Sequence, residues 1–247
     1  MNLKDKRVIV TGGTRGLGLG LVELLVAHSA KVTVVARGAE GLESVHARFG
    51  VDTISADVTD ETAAHRIVSE VRPDILVLNA GAEPRMGRLD QLSWADFTTT
   101  WETDVKAGLY WLQAALKTPL KSGSRVLVGS SGAAQNGSPL SGGYAGAKRT
   151  QMFLADYAQK ESARLQLGLQ FLALTPGRIM PETELGKAAI EAYASSLGLS
   201  PADFIKNMGA KLTTEDVANA VVTLASDSRE RAGKTFLVSA SGIELLS

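Results

Sequence analysis

The sequence contains no cysteine, which excludes a disulfide framework, a cysteine nucleophile and thiolate metal ligation. It has only three histidines, His28, His46 and His65. They are scattered along the chain, leave little for a histidine-based metal site, and no metal is expected. Neither sign of charge is in excess: 26 Lys plus Arg balance 26 Asp plus Glu, for a formal net charge of zero. Without a basic surplus there is no general attraction to nucleic acid or anionic membrane, and neither is expected as a partner. No apolar run reaches the roughly 18 residues that a membrane span needs. The first seven residues lead straight into a Val-Ile-Val run, with no signal-peptide core behind them. A cytoplasmic protein is the expectation. Pro-rich and Ser-rich tracts, charge blocks and internal repeats are all missing, so nothing marks a linker. The 247 residues are expected to form one domain, 1–247, long enough to bury a substantial core.

What is present is alternation. Short β-branched runs at 7–11, 31–36, 52–55, 75–79, 125–129, 170–175 and 234–238 read as strands. Most are apolar on both faces, as strands covered by helices on each side should be. Helical patterns near 16–29, 39–48, 60–71, 94–118, 144–166, 184–197 and 213–226 lie between them. This order predicts an α/β chain of Rossmann type: a doubly wound, seven-stranded, mostly parallel sheet with helices on both faces. The stretch from Gly177 to Leu212 breaks the rhythm with two short helical candidates. It reads either as a helical insertion packed on the core or as a substrate lid near 178–212.

The first strand runs into Thr11-Gly12-Gly13-Thr14-Arg15-Gly16-Leu17-Gly18 and then a helix. Glycines there permit a tight turn and let the backbone approach a pyrophosphate at the helix N-terminus. The spacing is Gly-x3-Gly-x-Gly, and the Lys-Ser/Thr of a triphosphate loop is missing. About 20 residues further on, where an acid would bind the ribose 2′-hydroxyl of NAD, the sequence reads Val35-Ala36-Arg37-Gly38. Arg37, flanked by Arg15, suits a 2′-phosphate, and no carboxylate appears there until Glu40, so NADP(H) is expected over NAD(H).

Tyr144-Ala145-Gly146-Ala147-Lys148 opens a helical pattern, and a spacing of four puts Tyr144 and Lys148 on one face. A phenol titrates near 10 in isolation, and an adjacent ammonium favours its ionised form. Thirteen residues before Tyr144, Ser131 follows a buried strand and could polarise a carbonyl oxygen.

In order, these motifs resemble the short-chain dehydrogenases/reductases over nearly the whole chain. Gly12, Gly16 and Gly18 look like that family's cofactor loop, with Thr14, Arg15 and Leu17 between them. Asn79-Ala80-Gly81 is similar to its motif after the fourth strand. Asp57-Val58 resembles the pair bordering the adenine, and Arg37 the arginine of NADP-preferring members. Pro176-Gly177, with Ile179, resembles the nicotinamide-side turn.

The resemblance implies hydride transfer between the cofactor and a carbonyl or secondary alcohol. Tyr144 would act as acid/base, Ser131 would hold the substrate oxygen, and Lys148 would support the tyrosine and bind the nicotinamide ribose. It also implies a homodimer or homotetramer through the 94–118 and 144–166 helices and the C-terminal segment from Lys234.

Two positions depart from the family's pattern. Asp104 stands where an asparagine usually supports a water of the proton relay; it reads as a catalytic residue or as a buried acid paired with Lys148 or water. Pro181 falls where a threonine usually meets the cofactor, with Thr183 the nearest replacement. The departure at Asp104 keeps a second function class open, a cofactor-binding regulator or redox sensor. A sugar-nucleotide epimerase is disfavoured by the length and the glycine spacing.

Overall fold

The computed structural model of the protein describes residues 3–227 and 231–246. Met1, Asn2, Ser247 and the segment 228–230, all inside the expected domain bounds, lie outside the described residues. Eight strands form one sheet: β1 (Arg7–Thr11), β2 (Lys31–Ala36), β3 (Asp52–Ser55), β4 (Ile75–Leu78), β5 (Arg125–Gly129), β6 (Gln170–Pro176), β7 (Thr235–Ser239) and β8 (Gly242–Leu245). Their spatial order is β3-β2-β1-β4-β5-β6-β7-β8. All neighbours are parallel except β7 and β8, which form an antiparallel hairpin. The expected seven strands are therefore eight. β8 escapes a pattern reading because it lies at the sheet edge with only Ile243 partly covered, so it carries no alternation.

Helices α1 (Gly16–Ala27), α2 (Ala39–Phe49) and α3 (Glu61–Val71) follow the first three strands. The expected helix at 94–118 is broken into α4 (Trp94–Thr100), a π-helical turn (Trp101–Val105) and α5 (Lys106–Lys117). α6 (Ala133–Asn136), α7 (Gly142–Arg164), α8 (Glu184–Ser196), α9 (Pro201–Asn207) and α10 (Thr214–Ser226) complete the order.

The pleat sorts the core into two layers. Along β1, Val8 and Val10 point to the face covered by α1 and α10, where they meet Leu21, Leu25, Val217 and Val221. Ile9 points the other way, toward Ile67 of α3, Trp111 of α5 and Ala155 of α7. A strand buried on both sides needs apolar residues at every position, which is why Val8–Val10 reads as an unbroken run. Each such side chain contributes roughly 1.5–3 kcal/mol on burial, and all three are fully buried.

Reversal of strand order falls between β1 and β4, both parallel to each other. A crevice opens outside the carboxyl ends of strands at such a point, and ligands bind there. Thr11 closes its floor. The Thr11 hydroxyl donates to the Val77 carbonyl at 3.3 Å and accepts the backbone N–H groups of Asn79 and Ala80 at 3.0 and 3.1 Å.

Candidate active site

Backbone geometry sets the loop after β1. Gly12 (φ +69°) and Gly16 (φ +52°) occupy the left-handed region, which costs an ordinary residue about 1–2 kcal/mol. A Cβ on Gly18 would lie 2.1 Å from the Gly12 carbonyl oxygen, so the helix starts against its own loop. The Asn79 side-chain amide donates to the carbonyls of Thr11 and Gly12, both at 3.2 Å, and braces that loop from β4. α1 begins with no side-chain cap and no acid in its first turn. Its first N–H groups therefore face the crevice, where the helix dipole favours an anion.

At the end of β2, Arg37 is strongly exposed and lies 3.8 Å from the Asp57 carboxylate. No acid lies beside this arginine in the sequence before Glu40, and the fold supplies one from the turn after β3. The Thr59 backbone N–H and hydroxyl both reach Asp57 Oδ1 at 2.8 Å. These two donors, and Arg37 after them, hold the Asp57 carboxyl below its ordinary value. Trp111 donates its indole N–H to the Val58 carbonyl at 3.0 Å and fixes the same turn from α5.

The second half of the site is built on close approach. A Cβ at Gly143 would meet the Phe97 carbonyl oxygen at 2.1 Å, and one at Gly146 would meet the Trp101 ring at 3.1 Å. Glycine at both positions lets the start of α7 lie directly on α4 and the π-helical turn. The Trp101 indole N–H then reaches the Gly143 carbonyl at 2.9 Å. This packing brings Tyr144 and Lys148 on α7 to Asp104 on the turn. The wider turn, marked by the Lys106 N–H bonding back to the Trp101 carbonyl, directs Asp104 inward until none of it is exposed. Single π turns of this kind often lie at functional sites.

Asp104 Oδ1 accepts the Ala82 backbone N–H at 2.8 Å. Asp104 Oδ2 lies 3.0 Å from the Lys148 ammonium, with Asp104 fully buried and Lys148 nearly so. A Cβ on Gly81 would come within 2.9 Å of the same carboxylate, so only glycine fits there. Burial alone would push the Lys148 ammonium down. The Asp104 carboxylate, Tyr144 and the direct contact to Asp104 outweigh burial and hold it above the ordinary lysine value. Asp104 is thus a buried acid in an ion pair with Lys148.

Ser131 stands at the mouth of β5, where its hydroxyl accepts the Ala133 N–H at 3.3 Å. The adjacent Gly132 N–H bonds the Pro176 carbonyl at 2.7 Å, joining the serine loop to the Pro176–Gly177 turn. Thr183 is committed elsewhere. It caps α8, accepting the Gly186 N–H and donating to the Met180 carbonyl, both at 2.9 Å. A cavity of about 800 Å³ runs from the glycine loop past Arg37, Asp57 and Asn79 to Ser131, Tyr144 and Lys148.

Comparison with known proteins decides the family. A family model described as short chain dehydrogenase matches residues 6–194. The chain belongs to the short-chain dehydrogenase/reductase family. This short-chain dehydrogenase is 29% identical over 241 residues to the 3-oxoacyl-(acyl-carrier-protein) reductase FabG of Escherichia coli, covering 92% of each chain. It is 28% identical over 237 residues to the secoisolariciresinol dehydrogenase of Forsythia intermedia, covering 91% of this chain and 84% of that one. A solved levodione reductase superposes with a TM-score of 0.84 at 24% identity, over 96% of both chains, a likeness of fold. The family binds a nicotinamide dinucleotide and acts on small molecules. The glycine cradle, the uncapped start of α1 and the length of the cavity fit such a cofactor. Among the described residues, no group of His, Asp and Glu could hold a metal and no helix could cross a membrane.

The fold thus draws the motif residues together around one cavity, Thr183 among them, with its hydroxyl engaged in the cap of α8. It also adds groups the motifs did not point to. Gln151, one turn beyond Lys148 on α7, reaches both Lys148 and Asp104. Its spacing of three from Lys148 is the one sequence signal that could have found it. Tyr193 of α8 hydrogen-bonds the Ser138 hydroxyl and stacks on Phe204 of α9, with ring centroids 6.1 Å apart.

Proposed function

We propose that this short-chain dehydrogenase transfers a hydride between NADP(H) and a carbonyl or secondary alcohol. The observation that carries the reading is the placement of Tyr144 and Lys148 on one turn of α7, with Ser131 facing the same cavity as the glycine loop. The nicotinamide, when bound, supplies or accepts the hydride. Tyr144 gives its hydroxyl proton to the substrate oxygen in reduction and takes one back in oxidation. Ser131 donates a hydrogen bond to that oxygen and fixes its position. Lys148 binds the nicotinamide ribose hydroxyls and keeps a positive charge beside the tyrosine, with its ammonium 5.6 Å from the Tyr144 ring centroid.

The segment holding α8 and α9 acts as the lid. Leu185, Tyr193 and Phe204 line the cavity together with Met86, which suits a hydrophobic or mixed carbonyl compound better than a charged one. Leu109, Phe153 and Tyr157 are exposed on α5 and α7. They form the face through which we infer a homodimer or homotetramer.

NADPH oxidation measured across a panel of apolar ketones and aldehydes tests the reaction. Cofactor binding without turnover of any carbonyl or alcohol would point instead to a regulator.

The cofactor preference has its own test. Arg37 and Arg15 would share a 2′-phosphate through charge-assisted hydrogen bonds worth about 1.5–3 kcal/mol each. Asp57 offsets part of that attraction from 3.8 Å, yet its oxygens already accept from Thr59. Arg37→Asp should weaken NADPH binding by about tenfold to a hundredfold and reverse the order of the two cofactors. Fluorescence titration of NADPH and NADH against both proteins measures this. Equal affinities in the unmodified protein would remove the preference.

A further inference from the structure

The Lys148 ammonium faces one carboxylate and donates hydrogen bonds to two further protein acceptors. Asp104 Oδ2 lies at 3.0 Å, Gln151 Oε1 at 3.0 Å and the Gly129 carbonyl at 3.4 Å. Gln151 is itself buried and is oriented from its other end, where Nε2 donates to the Asp104 backbone carbonyl at 3.2 Å. Its amide therefore cannot flip without losing both bonds. The residue is also confined by packing, since a Cβ on Gly108 of α5 would lie 3.8 Å from Nε2. The π-helical turn thus offers Lys148 two routes: a direct pull from the Asp104 carboxylate, and a rigid bridge from the Asp104 carbonyl through the Gln151 amide.

We propose that Gln151 is a positioning residue that fixes the direction in which the Lys148 ammonium meets Asp104 and so holds its charge beside Tyr144. The carboxylate attracts the ammonium along one line, and a charge-assisted bond from the amide anchors it along another. Without the amide, the ammonium is free to swing about its contact with Asp104, away from Tyr144, and the tyrosine loses part of the positive field beside it. The charged groups acting on Lys148 are Asp104 from the turn and Tyr144 from its own helix. Glu102 and Lys106 on the neighbouring backbone, and Arg149 on α7, are exposed. β5 presents the Gly129 carbonyl to the ammonium, and its following Ser130 hydroxyl bonds the Lys148 carbonyl at 2.8 Å. This inference rests on the proposed oxidoreductase chemistry for its kinetic consequence, though the clamp itself does not.

Gln151→Met keeps the volume of the side chain and deletes both hydrogen bonds. With cofactor saturating, the rise of the alcohol-oxidation rate should move to higher pH by on the order of half a unit to one unit. A purely structural role would lower the rate at all pH values or the melting temperature, without moving the profile. Adding Asp104→Asn removes the competing attraction, so the rise in the double variant should return toward that of the unmodified protein. A profile that stays in place in Gln151→Met overturns the proposal, as does a shift that Asp104→Asn leaves untouched. A second readout needs no turnover. In protein labelled with 13C-lysine, the Lys148 ε-methylene signal, assigned with Lys148→Arg, should show two resolved, inequivalent protons that merge in Gln151→Met. If no alcohol or ketone is turned over, the functional reading fails while this signal still decides the clamp. Merged protons in the unmodified protein would refute it.

Discussion

Tyr144→Phe should reduce kcat by about 10²–10⁴-fold, the usual contribution of a positioned general acid–base group, while cofactor affinity stays nearly unchanged. The substitution removes one oxygen from a half-buried ring, and nothing else that positions the site depends on that oxygen. α7 is held against α4 by glycines at 143 and 146 and by the Trp101 indole bond to Gly143. The cofactor end of the cavity is set by Gly12, Gly16 and Asn79, on other elements. On the proposed mechanism, the substrate oxygen would keep its hydrogen bond from Ser131 but have no group from which to take a proton. A loss of kcat with KM preserved, measured on any carbonyl that the unmodified protein reduces, is the expected split. Retention of most of the rate would remove Tyr144 from the chemistry and leave the cavity as a binding site.

Legibility differed between the sheet and the site, for physical reasons. Buried strands such as Val8–Val10 announce themselves because both faces need apolar residues. β8 does not, because an edge strand open to water has no such demand. The glycine loop was readable since positive φ at Gly12 and Gly16 restricts the residue type at those positions. The break at Trp101–Val105 was not: one π turn leaves the apolar spacing of the long helical pattern almost intact while rotating Asp104 inward. A buried Asp104 paired with Lys148 is one of the two readings the sequence offers, but the contact itself is tertiary, set by how closely Gly143 and Gly146 let two helices approach. The same holds for Arg37 and Asp57, far apart in sequence and joined only because β2 and β3 are neighbours. Thr183 is the reverse case. It is the nearest replacement for the family's threonine in sequence, and its engagement as the N-cap of α8 is visible only in the fold.

The ion pair between Asp104 and Lys148 makes stability a probe of the site as well as activity. Breaking a buried pair by removing one partner costs about 3–5 kcal/mol, because the other charge is left without compensation. Lys148→Met should therefore unfold on the order of 10 °C below the unmodified protein, besides losing turnover and cofactor affinity. Exchanging both residues, as Asp104→Asn with Lys148→Met, removes the orphaned charge. The amide oxygen introduced by Asp104→Asn still accepts the Ala82 N–H, the bond now made by Asp104 Oδ1. The double variant should accordingly recover most of the melting temperature while remaining inactive, and the non-additivity measures the coupling of the pair.

The pH dependence has a definite sign. Lys148 is raised above its ordinary value of 10.5 in the folded protein. The stabilisation it brings is thus fully present below about pH 10.5 and is lost as pH rises through the raised folded value. The part of the stability gap to Lys148→Met that comes from the lysine should consequently narrow only in strong alkali. Thermal melts of the four proteins of the cycle, at one protomer concentration and at several pH values, measure both effects. A Lys148→Met variant as stable as the unmodified protein would mean that the contact between Asp104 and Lys148 contributes nothing to stability as a buried ion pair.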